Sequence, residues 1–282
     1  MKTFKLGGVH PEENKISAGE AIEVLPLPAK VCIPVSQSLG APSKVVVEKG
    51  AIVKTGQVIA KGESFISSNV HSSVSGKVTK IDEVIDTSGY KRQAVYIDVE
   101  GDEWEEGIDR SPEIIHDIVP DRDAIIRKIN EMGVVGLGGA TFPSHVKLMV
   151  PDGKKAEYLL INGVECEPYL TSDHRLMLER GEEMVIGVKI LMKALGVSKA
   201  FIGIEKNKQD AIVHLSVICS KHPGIEVVPL KVKYPQGGEK QLIKAVVNRE
   251  VPSRKLPIEV GCVVNNVGTA LEIGRASCRE RV

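Results

Sequence analysis

The feature that most constrains this chain is a change of texture near residue 120. From about Ala29 to Glu100, β-branched residues alternate with polar ones, punctuated by Gly40, Gly50, Gly56, Gly62 and Gly76. That is the pattern of short, half-buried strands joined by turns. From Asp121 the period lengthens. DRDAIIRKINEMG places Ile125, Ile126, Ile129 and Met132 on one helical face and ends at Gly133, a suitable glycine for closing a helix. Apolar strand candidates then alternate with helices: YLLING, a helical stretch from about Leu176 to Leu195, AFIGIE, a helix over Ala211 to Cys219, IEVVPLKV, and a helix near Lys240 to Val247. Such βα alternation predicts a parallel sheet covered on both faces. For 282 residues, two compact domains fit better than one.

The expected division is an N-terminal segment (1–28), a β-rich module (29–100), an acidic, poorly periodic linker (101–120), an α/β domain (121–274) and a tail (275–282). Within the β-rich module, VVVEKGAIVKTGQVIAKG and HSSVSGKVTKI form two strand-turn-strand units of similar character. This resembles the barrel-sandwich of biotinyl and lipoyl carriers. A carrier presents its acceptor lysine at the hairpin tip between the half-motifs; here Phe65 stands there, flanked by Ser64, Ile66, Ser67 and Ser68. A phenyl ring forms no amide with biotin or lipoate, so a rigid docking or packing module is expected instead, with His71 a surface or packing histidine. The tail RASCRERV continues no pattern and reads as a truncated or foreign end.

The 37 basic and 37 acidic residues cancel, giving no global field for nucleic acid or an anionic membrane surface. No apolar run reaches the length of a membrane span, and Met1 to Lys5 open no signal-peptide pattern, so a cytosolic chain able to dock on a membrane complex is expected. Cys32, Cys166, Cys219, Cys262 and Cys278 lie far apart without a CxxC pair. They read as reduced, mostly buried thiols, with no zinc or cluster site encoded.

The most informative stretch is GVVGLGGATFPSHVKL, where Gly133, Gly136, Gly138 and Gly139 lead into a short helix. Glycines let main-chain N–H groups approach phosphate oxygens, and a helix N-terminus adds partial positive charge. The loop lacks the GK[ST] ending of a P-loop, which disfavours ATP hydrolysis. Beyond it, Lys147 is in reach of a phosphate, and YLLING runs into VECEP, placing Asn162, Glu165 and Glu167 at a strand's carboxyl end, the ligand-binding edge of open α/β sheets. Asn162 offers the donor and acceptor that suit a flavin's polar edge. Cys166 between the two glutamates reads as packing.

Together, GLGGATFPSHVK and INGVECEP resemble the flavin motifs of the NADH-oxidising 51 kDa component of respiratory complex I and its relatives. YPQGGEKQLI is similar to that family's glycine–glutamate turn, and VVNNVGTALEI to its asparagine-pair motif. By position, the resemblance implies FMN and NAD(H) contacts from Gly136, Gly138, Gly139, Phe142, Lys147, Asn162, Glu165, Glu167, Gly237, Gly238, Glu239, Asn265, Asn266 and Thr269. Val164 replaces an acidic residue usual in complex I, Gly237 precedes the usual single glycine, and Gly268 stands where complex I carries glutamate. The order of a GGVHPEENK opening, a biotinyl-like module and then the flavin fold resembles the RnfC component of the Rnf complex.

The fold expected is therefore α/β: a barrel-sandwich module followed by a Rossmann-like flavin/NADH-binding domain, incomplete at its C-terminus. The resemblance further implies an electron-transfer component of a membrane ion-translocating ferredoxin:NAD+ oxidoreductase, peripheral on the cytoplasmic face. Its partners would be the membrane and ferredoxin-like Rnf subunits, with ferredoxin met indirectly and no nucleic acid bound. Hydride exchange between NAD(H) and FMN needs alignment rather than a protein acid–base pair, so no catalytic residue and no metal ligand is assigned. The family's two [4Fe–4S] centres, held by CxxCxxCxxxCP runs, have no counterpart here, and a chain ending at this point is expected to lack ferredoxin-linked activity. The rival readings are a relative of the corresponding component of the sodium-pumping NADH:quinone reductase, and a non-catalytic docking subunit.

Overall fold

A computed structural model describes residues 1–111, 113, 114, 116 and 121–279, with side chains to Ala276. The expected linker therefore lies partly outside the described residues. Two compact units result. One is built mainly from Met1–Glu23 and Leu148–Gly274, the other mainly from residues 24–111 and Asp123–Lys147.

The β-rich unit contains β1 (Lys30–Pro34), β2 (Lys44–Val45), β3 (Ile52–Val53), β4 (Val58–Lys61), β5 (Val70–His71), β6 (Gly76–Ile85) and β7 (Lys91–Val99). They form two antiparallel sheets, ordered β1-β7-β6-β3 and β2-β4-β5. Alternation turns Ile33, Val53, Ile59, Val78, Val95 and Ile97 into one shared core. Gly76 is required by packing: a Cβ there would lie 2.1 Å from the Asp98 carbonyl. Phe65 sits between β4 and β5, two-thirds exposed at 67%. His71 is half-buried and donates from its ring to the Glu131 carbonyl; burial lowers its pKa.

Helix α1 (Arg122–Glu131) buries Ile125, Ile126 and Ile129 as its periodicity requires, and Gly133 follows in the left-handed region at φ +66°. The segment 123–147 packs with the β-rich unit, tied by Ser68 Oγ donating to Gly133 O (2.9 Å) and Asn69 Nδ2 donating to Glu131 O (3.0 Å). The short helix α2 (Ser144–Leu148) follows the glycine loop.

The other unit is a parallel sheet of order β10-β9-β8-β11, made of β8 (Tyr158–Gly163), β9 (Ala200–Glu205), β10 (Ile225–Leu230) and β11 (Cys262–Asn266). Its helices are α3 (Ser172–Glu179), α4 (Gly181–Leu195), α5 (Gln209–Cys219), α6 (Glu239–Val247) and α7 (Val267–Arg279). The strands read as near-continuous apolar runs because both faces are covered. Leu160, Val164, Val228 and Val264 pack with Leu242 and Ile243 of α6. Gly163, pointing to the opposite face of β8, would place a Cβ 2.8 Å from Met177 of α3. The helical stretch expected to begin near Leu176 is two helices, broken at Arg180 and closed by Gly196 in the left-handed region. The RASCRERV segment, expected to continue no pattern, prolongs α7 as far as Arg279; its last three residues lie outside the described ones.

Among the cysteines, Cys219 and Cys262 are buried and their thiols are pushed up to about 11 by burial, whereas Cys32 is exposed. That corrects the expectation of mostly buried thiols at Cys32, which lies on an outward-facing position of β1. Among the described residues no helix is long and apolar enough to cross a membrane, and no group of three or more His, Cys, Asp or Glu side chains is placed to hold a metal ion.

Candidate cofactor-binding site

The carboxyl ends of β8, β9 and β11 carry a dense polar group. In the β8–β11 pairing Asn266 lies opposite Asn162 and Asn265 opposite Ile161, so the asparagine pair and the INGVECEP motif meet at one edge. Asn162 Nδ2 donates to Gly237 O at 2.8 Å and its Oδ1 accepts the Val164 N–H at 3.2 Å. Three of the four motifs thus converge, and Asn162 serves first as the clasp between the strand end and the glycine–glutamate turn. Gly238 is the N-cap of α6, and Glu239 begins that helix. Asn266 is likewise engaged at both ends, its Nδ2 donating to Asp173 at 2.6 Å and its Oδ1 accepting the Gly268 N–H at 2.7 Å.

Glu165 is buried and holds a left-handed φ of +49°. Its carboxylate accepts the N–H groups of Asp173 (2.8 Å) and His174 (3.2 Å), which are orphan donors of the first turn of α3. The carboxylate expected to face a nucleotide is therefore occupied as a helix cap. Glu167 is exposed and accepts a hydrogen bond from the Tyr234 hydroxyl, which raises the tyrosine's pKa. Thr269 is wholly buried in α7.

Four groups here were not singled out from the sequence. Asp173 has its pKa raised to about 6, first by burial and then by the neighbouring Glu165 charge. Lys208, 2% exposed, donates to Val164 O at 2.8 Å, and burial lowers its pKa. Glu205, 1% exposed, accepts the Lys233 N–H at 2.9 Å, and burial raises its pKa. Lys15, in the N-terminal segment, donates to the carbonyls of Glu165 (2.9 Å) and Glu167 (2.6 Å). The segment reaches the sheet's edge through isolated pairings of Lys2 with Leu230 and Val9 with Tyr234. The available signal was Glu205 at a strand's carboxyl end, with Lys208 three residues on, in AFIGIEKNK.

In the β-rich unit, the glycine loop is a closed turn. Gly136 N–H donates to Phe142 O at 2.8 Å, Ser144 N–H donates to Val134 O at 3.0 Å, and Val135 pairs with Pro143. Between these ties, Gly138 (φ +71°) and Thr141 (φ +49°) take left-handed conformations. A Cβ at Gly139 would meet nothing within 4 Å, so that face of the loop is clear of protein. Phe142 and Lys147 are half-buried on the loop's exit.

Whether these residues suit a flavin is tested by their donors. The Nδ2 of Asn265 and the Nε2 of Gln236 are buried without a hydrogen-bond partner. Unmatched buried donors are costly, and a ligand rich in carbonyl and phosphate acceptors would relieve Asn265 at the strand edge. The open face of the glycine loop offers main-chain approach without a side chain in the way. The residues fit FMN.

A parallel sheet with a polar carboxyl edge, a clasped glycine turn and an orphan amide donor defines a nucleotide-cofactor-binding protein of the α/β class. Residues 129–275, just over half of the chain, match the model of the Nuo51 FMN-binding domain, and residues 2–102 match the RnfC barrel sandwich hybrid domain. The chain belongs to the Nuo51 FMN-binding domain family, in the branch typified by the RnfC component of the Rnf complex.

It is 49% identical over 278 residues to the RnfC-type component of the proton-translocating ferredoxin:NAD(+) oxidoreductase complex of Clostridium ljungdahlii, covering 98% of this chain and 60% of that one. It is 45% identical over 279 residues to the Na(+)-translocating counterpart of Acetobacterium woodii, covering 97% and 61%. The chain thus spans about three-fifths of the length of these two relatives. Among solved structures, an air-oxidized NAD+-reducing [NiFe]-hydrogenase is similar at a TM-score of 0.52 and 25% identity, over 57% of this chain and 31% of that one. The expected order of a barrel-sandwich module followed by a flavin-type α/β fold is borne out.

Proposed function

We propose that this chain binds FMN and NAD(H) within a ferredoxin:NAD+ oxidoreductase of the Rnf type, as a peripheral component on the cytoplasmic face of the membrane. Its partners are the other Rnf subunits, and ferredoxin is met indirectly. The proposed functional division follows the sequence: module 29–100, linker 101–120, cofactor domain 121–274. The observation that carries the reading is the buried, unpartnered amide of Asn265 at the carboxyl edge of the sheet, in a chain that matches an FMN-binding domain.

Bound FMN supplies exchange between hydride and single-electron transfer. The protein's share is to bind and orient. Asn265 donates to a flavin acceptor, and Asn162, already clasping Gly237, keeps the edge in register. Asn266 holds the start of α7 while Asp173 holds Asn266. Gly136, Gly138 and Gly139 provide main-chain donors, with Phe142 and Lys147 beside them for the nicotinamide nucleotide and a phosphate. Glu165 and Glu167 shape the loop, and Gly237, Gly238, Glu239 and Thr269 form its supports. No cluster ligands are assigned among the described residues.

Titrating the 282-residue protein with FMN and following the quenching of flavin fluorescence tests this. Asn265→Ala should weaken FMN about tenfold or more, the loss of one buried hydrogen bond to ligand. A wild-type protein that leaves FMN fluorescence unchanged would overturn the flavin reading and favour a docking subunit.

A further inference from the structure

The hairpin between β4 and β5 has lost the lysine of a carrier, yet its sequence is densely polar, and its hydrogen bonds go to a particular place. Ser68 Oγ donates to Gly133 O at 2.9 Å, Asn69 Nδ2 to Glu131 O at 3.0 Å, and the His71 ring to the same Glu131 carbonyl. From the loop that follows β1 in the same module, Leu39 N–H donates to Thr141 O at 3.1 Å. In return the His145 ring, 5% exposed, donates to the Phe65 carbonyl at the hairpin tip. Each of the first four contacts ends on a main-chain carbonyl at the entry to the glycine loop or at its far side.

We infer that this hairpin acts as a mould for the glycine loop, with Ser68, Asn69 and His145 as positioning residues that set which way the loop's N–H groups face. The physical step is peptide planarity. Carbonyl and N–H of one trans peptide point in opposite directions, so holding the Thr141 carbonyl toward Leu39 turns the Phe142 N–H to the other side. Gly133 adds a steric lock, because at φ +66° a Cβ would come within 2.3 Å of Asn69 O, leaving glycine alone able to accept that approach. The loop itself has glycines at 136, 138 and 139 and so loses much entropy by staying in one conformation. Anchors outside the loop offset that cost before ligand arrives, which is pre-organisation. A module that in carriers bears a cofactor covalently would here hold the loop that grips one non-covalently. The ligand part of this inference rests on the flavin reading; the anchoring part does not.

The test uses the 282-residue protein with Ser68→Ala and Asn69→Asp. Aspartate at 69 keeps the oxygen that accepts the Gly62 N–H at 3.0 Å but loses the donor to Glu131. Hydrogen exchange of the 134–143 amides should quicken about tenfold in both variants, with β6 and β7 unchanged. FMN should bind about tenfold more weakly while riboflavin, lacking the phosphate, changes less than twofold, and Ser68→Thr should restore both readouts. Unchanged loop exchange would overturn the mould. Faster loop exchange with an unaltered FMN-to-riboflavin ratio would overturn the positioning role. If wild type binds neither flavin, the flavin reading fails and loop exchange alone decides the anchoring. If β6 and β7 also exchange faster, the pair His145→Gln, which keeps a donor, and His145→Leu, which does not, decides: equal loop protection in the two would overturn it.

Discussion

The carboxylate of Glu165 accepts the main-chain N–H of Asp173 at 2.8 Å, so two buried carboxylates share the first turn of α3. Asp173 carries the penalty. With a folded pKa of about 6, above its ordinary 3.8, it binds its proton more tightly folded than unfolded. Its ionisation therefore takes stability away as pH rises from about 4 to about 6, and the loss persists at pH 7. Asp173→Asn should stabilise the α/β unit at pH 7 by about 1–3 kcal/mol, with the gain fading near pH 4. Urea unfolding at both pH values checks this; an equal effect at the two would sink it.

Glu165→Gln separates cap from charge. The amide oxygen still accepts one N–H, but the negative charge at the helix start and the second strong acceptor are lost, so a cost of about 1–2 kcal/mol is expected. At the same time the pKa of Asp173 should fall toward its ordinary value, since the like charge beside it is gone. Carboxyl-carbon NMR titration of Asp173 reads the second effect independently of stability.

Lys208 and Glu205 are nearly inaccessible and electrostatically paired. Lys208→Met leaves Val164 O without its 2.8 Å donor and Glu205 without a compensating charge. A loss of about 3 kcal/mol or more is expected. Adding Glu205→Gln should recover part of it, because the stranded charge is removed with its partner. Strictly additive losses in the double variant, measured by denaturant unfolding, would count against the coupling.

The contrast between legible and illegible parts follows from range. Ile125, Ile126 and Ile129 declared a buried helix face, and YLLING, AFIGIE and IEVVPLKV declared strands of a two-sided sheet, because local periodicity carries that information. The break at Arg180 did not show, since residues on both sides favour helix. That Asp173 would meet Asn266, 93 positions away, or that Lys208 would reach Val164, depends on chain-distant packing that no spacing rule encodes. The same holds for segment 123–147, whose helical texture gives no sign that Asn69 and Ser68 of the β-rich unit hold its end. Motif matching located the cofactor edge but not the jobs within it: Glu165 was legible as a site residue and illegible as a cap.

The contact between α4 and α7 gives a sharp steric prediction. A Cβ on Gly187 would fall 1.7 Å from the Ala270 carbonyl oxygen and 3.2 Å from the Gly274 nitrogen, so two backbones meet where only hydrogen fits. Relief would require the start of α7 to move, and with it Asn265 and Asn266 at the end of β11, directly before that helix. Gly187→Ala should therefore cost about 3 kcal/mol or more despite alanine's higher helix propensity, which alone would stabilise by about 1 kcal/mol. Gly196→Ala is the matched control. It is the left-handed cap of α4 at φ +67° with nothing within 4 Å of an added Cβ, so only backbone strain of about 1 kcal/mol is at stake. Urea midpoints of the two variants should differ clearly, and equal losses would mean that the α4–α7 backbone contact does not hold in solution.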